Sequence, residues 1–178
     1  MTHSLLEESR GHLADLLEAC QRCAWYLHAS AAHLRWPLTG RELADRSKDL
    51  EFYERLAAIN EGFGKLQDLL TTTMRHLCNL SGENTESFLR VASFCGKVGI
   101  LQSLDDWQAC RSLRNRAAHA YGTDYTETAG HFNAMHSQIP LLTDTVVRLS
   151  AYVRQTLQIQ TEDESFLRDL PTTSTFDP

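Results

Sequence analysis

The sequence has few features of membrane-spanning, secreted or disulfide-bonded proteins. Its 178 residues contain no uninterrupted apolar run of about 18 residues, the length that a transmembrane helix needs. The first eight residues lack the basic and apolar regions of a signal peptide. Five cysteines are an odd number at scattered positions, which does not indicate a disulfide framework. We therefore expect a cytoplasmic protein with reduced cysteines and no membrane partner.

Motifs of several ligand-binding classes are also missing. The Cys20-x-x-Cys23 pair has no second pair at a spacing suited to zinc, so packing within a helix is the favoured role for these cysteines. The segment 96–99 is too short for a phosphate-binding loop, and no nucleotide-binding glycine fingerprint, internal repeat or parallel-strand alternation occurs. We predict that the protein has no metal site and needs no cofactor.

A surplus of basic charge is absent as well. The formal net charge of −6 argues against a cationic protein that coats nucleic acid generally. It does not exclude RNA as a partner, because binding depends on the local potential. Arg111 and Arg114, doubled across a dimer axis, would form a focused basic cleft on an acidic protein.

Helical periodicity is present along most of the chain. Apolar residues make up 42% of the sequence and recur at three- and four-residue intervals in five segments, at about residues 4–30, 47–80, 85–96, 103–121 and 123–158. Short connections between them predict an all-α fold, an antiparallel four-helix bundle with an extra short helix. We predict one domain over residues 1–159. Residues 160–178 are predicted to form a flexible acidic tail, with docking of Phe166, Leu167 and Leu170 as the alternative.

The second and longest of these segments carries two glycines in its middle. Because glycine weakens a helix, Gly62 and Gly64 predict a bend or the close approach of another helix. The charged residues Glu61, Lys65 and Asp68 lie near one another on the same helix. A salt-bridged outer face is the favoured interpretation of these three.

The stretch from Trp107 to Tyr121 packs ionisable residues into a helical pattern. Ser103 supplies an N-cap, and Gly122 is a natural stop. At about 100° per residue, one edge of this helix collects several polar side chains, namely Arg111, Arg114, Asn115, His119 and Tyr121. Arg116 points away from this edge and is interpreted as an ordinary surface residue. We predict that the function lies on the polar edge.

The pattern Arg114-x4-His119-x-Tyr121, with Asn115 directly after the arginine, resembles the signature of the HEPN superfamily and of its HepT-like toxins. Residues 63–68, Trp107 and Arg111 extend the resemblance, which covers roughly residues 48–155. It implies a small helical homodimer that acts as the ribonuclease toxin of a toxin–antitoxin pair. It also implies a minimal nucleotidyltransferase as the antitoxin partner and RNA as the substrate.

The resemblance implies a role for each polar residue of the edge. Arg114 and His119 would be catalytic in a metal-independent cleavage that leaves a 2′,3′-cyclic phosphate, and Arg111 and Asn115 would support them. Tyr121 would be the residue to which the antitoxin attaches AMP. The polar residues of the second helix would border the cleft instead of forming an outer face.

Two other interpretations of the same residues stay open. The chain would then be a non-catalytic helical subunit that binds or neutralises a nucleotidyltransferase, or the Arg/His edge would be a buried polar network at a dimer interface. The same side chains satisfy hydrogen bonds in either arrangement, so the sequence does not separate them.

Overall fold

The computed structural model describes residues 2–116 and 122–171, and every regular element in this part of the chain is helical. The prediction of an all-α protein is confirmed. In chain order the elements are α1 (Thr2–Ala32), α2 (Gly40–Asp45), α3 (Leu50–Leu80), α4 (Phe88–Lys97), α5 (Leu104–Asn115), α6 (Tyr125–Tyr152), a π-helical turn (Val153–Leu157) and α7 (Ser165–Arg168). Within the described ranges, no helix is long and apolar enough to cross a membrane.

Five of these helices begin at an N-cap whose side chain accepts a backbone hydrogen bond from the first turn. The caps are Thr39 of α2, Asp49 of α3, Ser87 of α4, Ser103 of α5 and Asp124 of α6. Such caps satisfy backbone N–H groups that have no partner inside the helix. The starts of α1 and of α3 to α6 agree with those predicted from the sequence to within about three residues.

The three long helices α1, α3 and α6 pack against one another and supply most of the core. Leucine, phenylalanine and methionine side chains at helical spacing are fully buried along their shared faces, among them Leu13, Leu27, Phe63, Leu66, Met74, Phe132 and Leu149. Gly62 lies where α3 passes α1, since a Cβ on this residue would sit 3.5 Å from Cδ1 of Leu27. The predicted close approach of another helix at the paired glycines is confirmed.

The short helix α2 was not predicted from the sequence. It follows the loop at Trp36–Pro37, and its first residue, Gly40, lies directly against the start of α6. A Cβ on Gly40 would come within 2.9 Å of the backbone of Thr126. Only glycine fits there without moving a backbone, so Gly40 fixes how α2 meets α6.

The segment after α6 differs from the predicted free tail over residues 160–171. Glu18 of α1 accepts hydrogen bonds from the backbone N–H groups of Glu162 and Asp163, at 3.1 and 3.2 Å. Phe166 packs edge-on against Trp25, and Leu170 is buried. These contacts give the segment hydrogen bonds and apolar burial, which correspond to the docked alternative. Residues 172–178 lie outside the described part of the chain.

Candidate active site

Helix α5 carries most of the residues that the sequence singled out, and its buried face fixes its rotation. Trp107, Cys110 and Leu113 recur at three-residue intervals and are at most 6% exposed. Trp107 stacks against Phe88 of α4, with 6.1 Å between ring centroids. Trp107 is therefore a core residue, although the sequence grouped it with the functional series.

The opposite side of α5 is open to solvent. Arg111, Arg114, Asn115 and Arg116 are all exposed. Residues three apart on a helix lie about 5–6 Å apart at Cβ, so Arg111 and Arg114 are neighbours on this surface. The structure thus brings together three of the predicted site residues, Arg111, Arg114 and Asn115, on one exposed edge.

Arg114 connects this edge to α3. Its Nη2 donates to Oδ2 of Asp68 at 2.7 Å, and both side chains keep about half of their surface exposed, 42% and 57%. The aliphatic part of Arg114 crosses Gly64, where a Cβ would lie 3.6 Å from Cγ of the arginine. The partner of Asp68 is therefore Arg114 of the neighbouring helix α5. The sequence had favoured a salt-bridged outer face formed within α3 by Asp68, Glu61 and Lys65.

Arg111 has a different neighbour. Its guanidinium lies over the ring of Phe88, 5.2 Å from the centroid, in a cation–π contact that ties α5 to α4. The two arginines of the edge thus face different helices. Arg114 faces the carboxylate of Asp68 on α3, and Arg111 faces the ring of Phe88 on α4.

The end of α5 departs from the prediction that one helix runs to Tyr121. The helix ends at Asn115, and the N–H of Arg116 turns back to the carbonyl of Leu113. Arg116 is exposed, as expected of a surface residue, and it lines a recess together with α6 residues, among them Glu127 and His131. His119 and Tyr121 fall in the segment 117–121, outside the described residues. Their predicted positions relative to Arg114 therefore stay predictions.

The buried side of α5 holds a thiol with little tendency to ionise. Burial raises the pKa of Cys110 to about 11, and the neighbouring Gln67 offsets only part of this rise. Burial likewise raises the pKa of Cys20 to about 12 and that of Cys23 to about 11. Because thiolates are the nucleophilic form, these thiols are poor nucleophiles at neutral pH. Cys20 of α1 is buried, and Cys23 of the same helix is partly buried.

Within residues 2–116 and 122–171, no group of three or more His, Cys, Asp or Glu side chains is arranged to hold a metal ion. The polar side chains available for binding or catalysis on the described edge are those of Arg111, Arg114 and Asn115, together with the Asp68 carboxylate that pairs with Arg114. Arg114 already holds the Asp68 carboxylate, and the exposed Arg111 guanidinium and Asn115 amide are further hydrogen-bond donors.

Comparison with known proteins gives no family model that matches the chain, and no similar protein among the curated proteins or the solved structures compared with it. The case for a function therefore rests on the residues of the edge and on the resemblance that their pattern carries.

Proposed function

We propose that the chain is a HEPN-like ribonuclease toxin that cuts RNA without a metal ion, with Arg114 and His119 as catalytic residues. The single observation that carries the proposal is the exposed edge of Arg111, Arg114 and Asn115, presented by a helix whose opposite face is locked in the core. Two guanidinium groups on a rigid support suit a phosphodiester, since each offers paired donors to phosphate oxygens.

The proposed reaction is an internal transfer at one phosphate of the RNA. The ribose 2′-oxygen forms a bond to the adjacent phosphorus while His119 takes the 2′-hydroxyl proton, because imidazole titrates near neutrality. The bond from phosphorus to the 5′-oxygen of the next nucleotide breaks, and that oxygen takes up a proton from the protonated His119 of a second copy of the chain. Arg114 stabilises the negative charge that develops on the phosphate oxygens. The products are a 2′,3′-cyclic phosphate and a 5′-hydroxyl.

Asp68 gives this mechanism an additional requirement. In the free protein its carboxylate occupies Nη2 of Arg114 at 2.7 Å. A phosphate must therefore displace Asp68, or bind to the other guanidinium nitrogens. The exchange is feasible because the pair is largely exposed, and exposed ion pairs contribute little net energy. Asp68 would hold the arginine in place until RNA arrives.

We further propose a HEPN-like four-helix bundle that works as a homodimer with α5 near the two-fold axis. The long helices α1, α3 and α6 with α5 would form the bundle. Pairing two α5 edges would bring two copies of Arg114 and His119 to one cleft and supply both a base and an acid. Sedimentation at micromolar concentration tests the dimer, and a monomer there would contradict it.

The experiment that tests the proposed activity compares Arg114→Ala and His119→Ala with the unaltered protein on total RNA. We expect both variants to lose cleavage while keeping their helical circular dichroism and their oligomeric state. Arg41→Ala is the matched control, because this side chain of α2 is 91% exposed and lies outside the edge. We also expect EDTA to leave cleavage unchanged and the products to carry cyclic phosphate ends. Cleavage that survives in both variants would overturn the catalytic assignment.

Tyr121 enters the proposal as a regulatory residue. A nucleotidyltransferase antitoxin would attach AMP to its hydroxyl, and the added phosphate would pair with Arg114 and block RNA. Co-expression with the antitoxin should add about 329 Da for each AMP, and Tyr121→Phe should abolish the addition. A toxin that is neutralised without a change in mass would show that the antitoxin acts by binding alone.

A second candidate function is favoured by the partners of the two arginines. Arg114 pairs with Asp68, and Arg111 contacts Phe88. Because both arginines already have partners within the chain, the edge also suits a protein-binding surface that has no catalytic role. The chain would then be a non-catalytic subunit that binds a nucleotidyltransferase through this edge. Loss of that binding in Arg114→Ala, in a protein that never cuts RNA, would support this candidate over the first.

A further inference from the structure

A cleft of about 160 Å³ opens between α4 and α5, beside the proposed active site. Its walls are apolar and its outer rim is polar. The residues that define it are Phe88, Leu89, Leu104, Trp107, Gln108 and Arg111. Leu89 is 65% exposed, which is unusual for a leucine on a helix whose neighbouring face is packed. The cleft is therefore an apolar recess that the chain itself leaves uncovered.

The volume of the cleft limits the size of the ring that it can bind. An engineered protein cavity of about 150 Å³ lined by apolar side chains holds one benzene molecule. A recess of about 160 Å³ therefore has room for one six-membered ring. A two-ring purine would have to leave one ring outside the walls.

The surroundings of the cleft favour an aromatic ligand that carries an anion on one side. Helix α5 begins with Asp105 and Asp106 and ends with exposed arginines. Its charge therefore changes from negative to positive along the cleft. Arg111 lies at the rim, and Arg114 follows one turn later toward the basic end. An anionic group attached to the bound ring is accommodated only at that end.

We propose that this cleft is a base-binding subsite that takes a single-ring pyrimidine of the RNA whose phosphate lies at Arg114. This inference rests on the proposed ribonuclease function and gives it a sequence preference. Single-stranded RNA is recognised by stacking its unpaired bases on aromatic side chains and arginine planes. Phe88 and Arg111 are side chains of these two kinds, and both line the cleft, with the guanidinium 5.2 Å from the ring centroid.

The polar residues at the rim of the cleft would hold a pyrimidine by hydrogen bonds to one edge of its ring. Uracil and cytosine both carry a carbonyl oxygen at C2, and the Gln108 amide and the Arg111 guanidinium are donors at the rim. Both side chains are exposed, and Arg111 also contacts the Phe88 ring. The ring would enter beside Phe88 and Trp107, with its carbonyl toward Gln108 and its sugar–phosphate chain toward Arg114.

The test measures the binding of short single-stranded 2′-fluoro RNA, which lacks the attacking hydroxyl, to the unaltered protein by fluorescence anisotropy. Three oligonucleotides differ at one central position, which holds uracil, adenine or no base. We expect removal of the uracil to weaken binding about fivefold or more, the effect of losing one stacked base. We expect adenine to bind more weakly than uracil. Equal binding of all three, or a preference for adenine, would overturn the proposal.

Two variants assign the preference to the cleft. Leu89→Ala removes an exposed wall and Gln108→Glu replaces a donor with a negative charge, and both should reduce the difference between uracil and the abasic position. Leu50→Ala is the matched control, because this leucine of α3 is 71% exposed and does not line the cleft. Variants that keep the full difference would place base recognition elsewhere and overturn the proposal.

The outcomes separate this inference from the function on which it rests. RNA cleavage without any dependence on the base would leave the ribonuclease proposal standing and remove the subsite. A base preference that Leu89→Ala abolishes, in a protein that does not cleave RNA, would keep the subsite and remove the catalytic assignment.

Discussion

Replacing Asp68 with asparagine tests whether the ion pair with Arg114 competes with RNA. The substitution keeps the size of the side chain and removes its charge. Asp68 is the acidic partner of Arg114 in the structure, with 2.7 Å between Oδ2 and Nη2. Without it, Arg114 no longer has to exchange a carboxylate for a phosphate. We therefore expect Asp68→Asn to bind single-stranded RNA more tightly than the unaltered protein.

The exposure of the pair sets the size of the effect. Both side chains keep about half of their surface in solvent, and measured exposed pairs are worth about 0.2–1 kcal/mol. This range corresponds to about a 1.4- to fivefold change in a dissociation constant. The same range limits the loss in the free energy of unfolding. Asp68→Asn should therefore tighten RNA binding by up to about fivefold and destabilise the protein by no more than about 1 kcal/mol.

The assay is anisotropy with non-cleavable RNA over a range of salt concentrations, together with urea unfolding. Glu51→Gln is the control. It removes one negative charge from the same helix and breaks another exposed pair, with Arg55 at 2.6 Å, so any effect of net charge alone appears in both variants. Arg114→Ala should lower the slope of log K against log salt by about 0.7, the value for one phosphate contact of a single strand. Weaker binding by Asp68→Asn, or equal effects of the two charge-removing substitutions, would refute the competition.

Three further predictions concern the fold around the site. Glu18 accepts backbone hydrogen bonds from Asp163 and Glu162 and pairs with Arg22, and these contacts, led by the bond from Asp163, hold its pKa below the ordinary value. Stabilisation from a lowered pKa is complete above the ordinary carboxyl value and is lost as the pH falls through the lowered one. We therefore expect the hydrogen-exchange protection factors of residues 160–170 to fall as the pH drops below the ordinary carboxyl pKa, and to be reduced already at neutral pH in Glu18→Gln. Gly40→Ala should destabilise the protein by about 1–3 kcal/mol in urea unfolding, because the added Cβ would meet the backbone of α6. Gly11→Ala is the control and should be neutral or stabilising, because a Cβ there would meet nothing within 4 Å. Trp107→Ala should cost about 3–5 kcal/mol in the same assay, and a smaller loss would mean that its burial contributes little.

Periodicity and caps predicted the long helices because they are local properties of the chain. The apolar spacing of residues 4–30 and 47–80 corresponds to α1 and α3, and Ser103 caps α5 as expected. In the structure Cys110 and Leu113 recur at helical spacing on the buried face of α5, and this turns Arg111 and Arg114 outward. Side-chain direction along one helix follows from its spacing alone, so the described part of the edge was predictable.

Contacts between helices were less predictable, because a helical wheel gives the faces of a helix but not the element that passes over each face. Asp68 was grouped with Glu61 and Lys65 of its own helix, yet its partner is Arg114 of α5. The docking of residues 160–170 depends on the position of Glu18 on α1, far away in the sequence. The end of α5 at Asn115 has no local signal either, since the residues up to Tyr121 include three alanines and no glycine or proline.

The division of α5 into a buried face and an exposed edge decides how substitutions on this helix are interpreted. Trp107, Cys110 and Leu113 anchor the helix in the core, so changes there alter stability and the position of the edge together. Arg111 and Arg114 contribute one exposed cation–π contact and one exposed ion pair, and each is worth about 1 kcal/mol or less to folding. A large loss of RNA cleavage or binding on changing either arginine therefore exceeds what unfolding explains. Such a loss would have to come from contacts with the ligand.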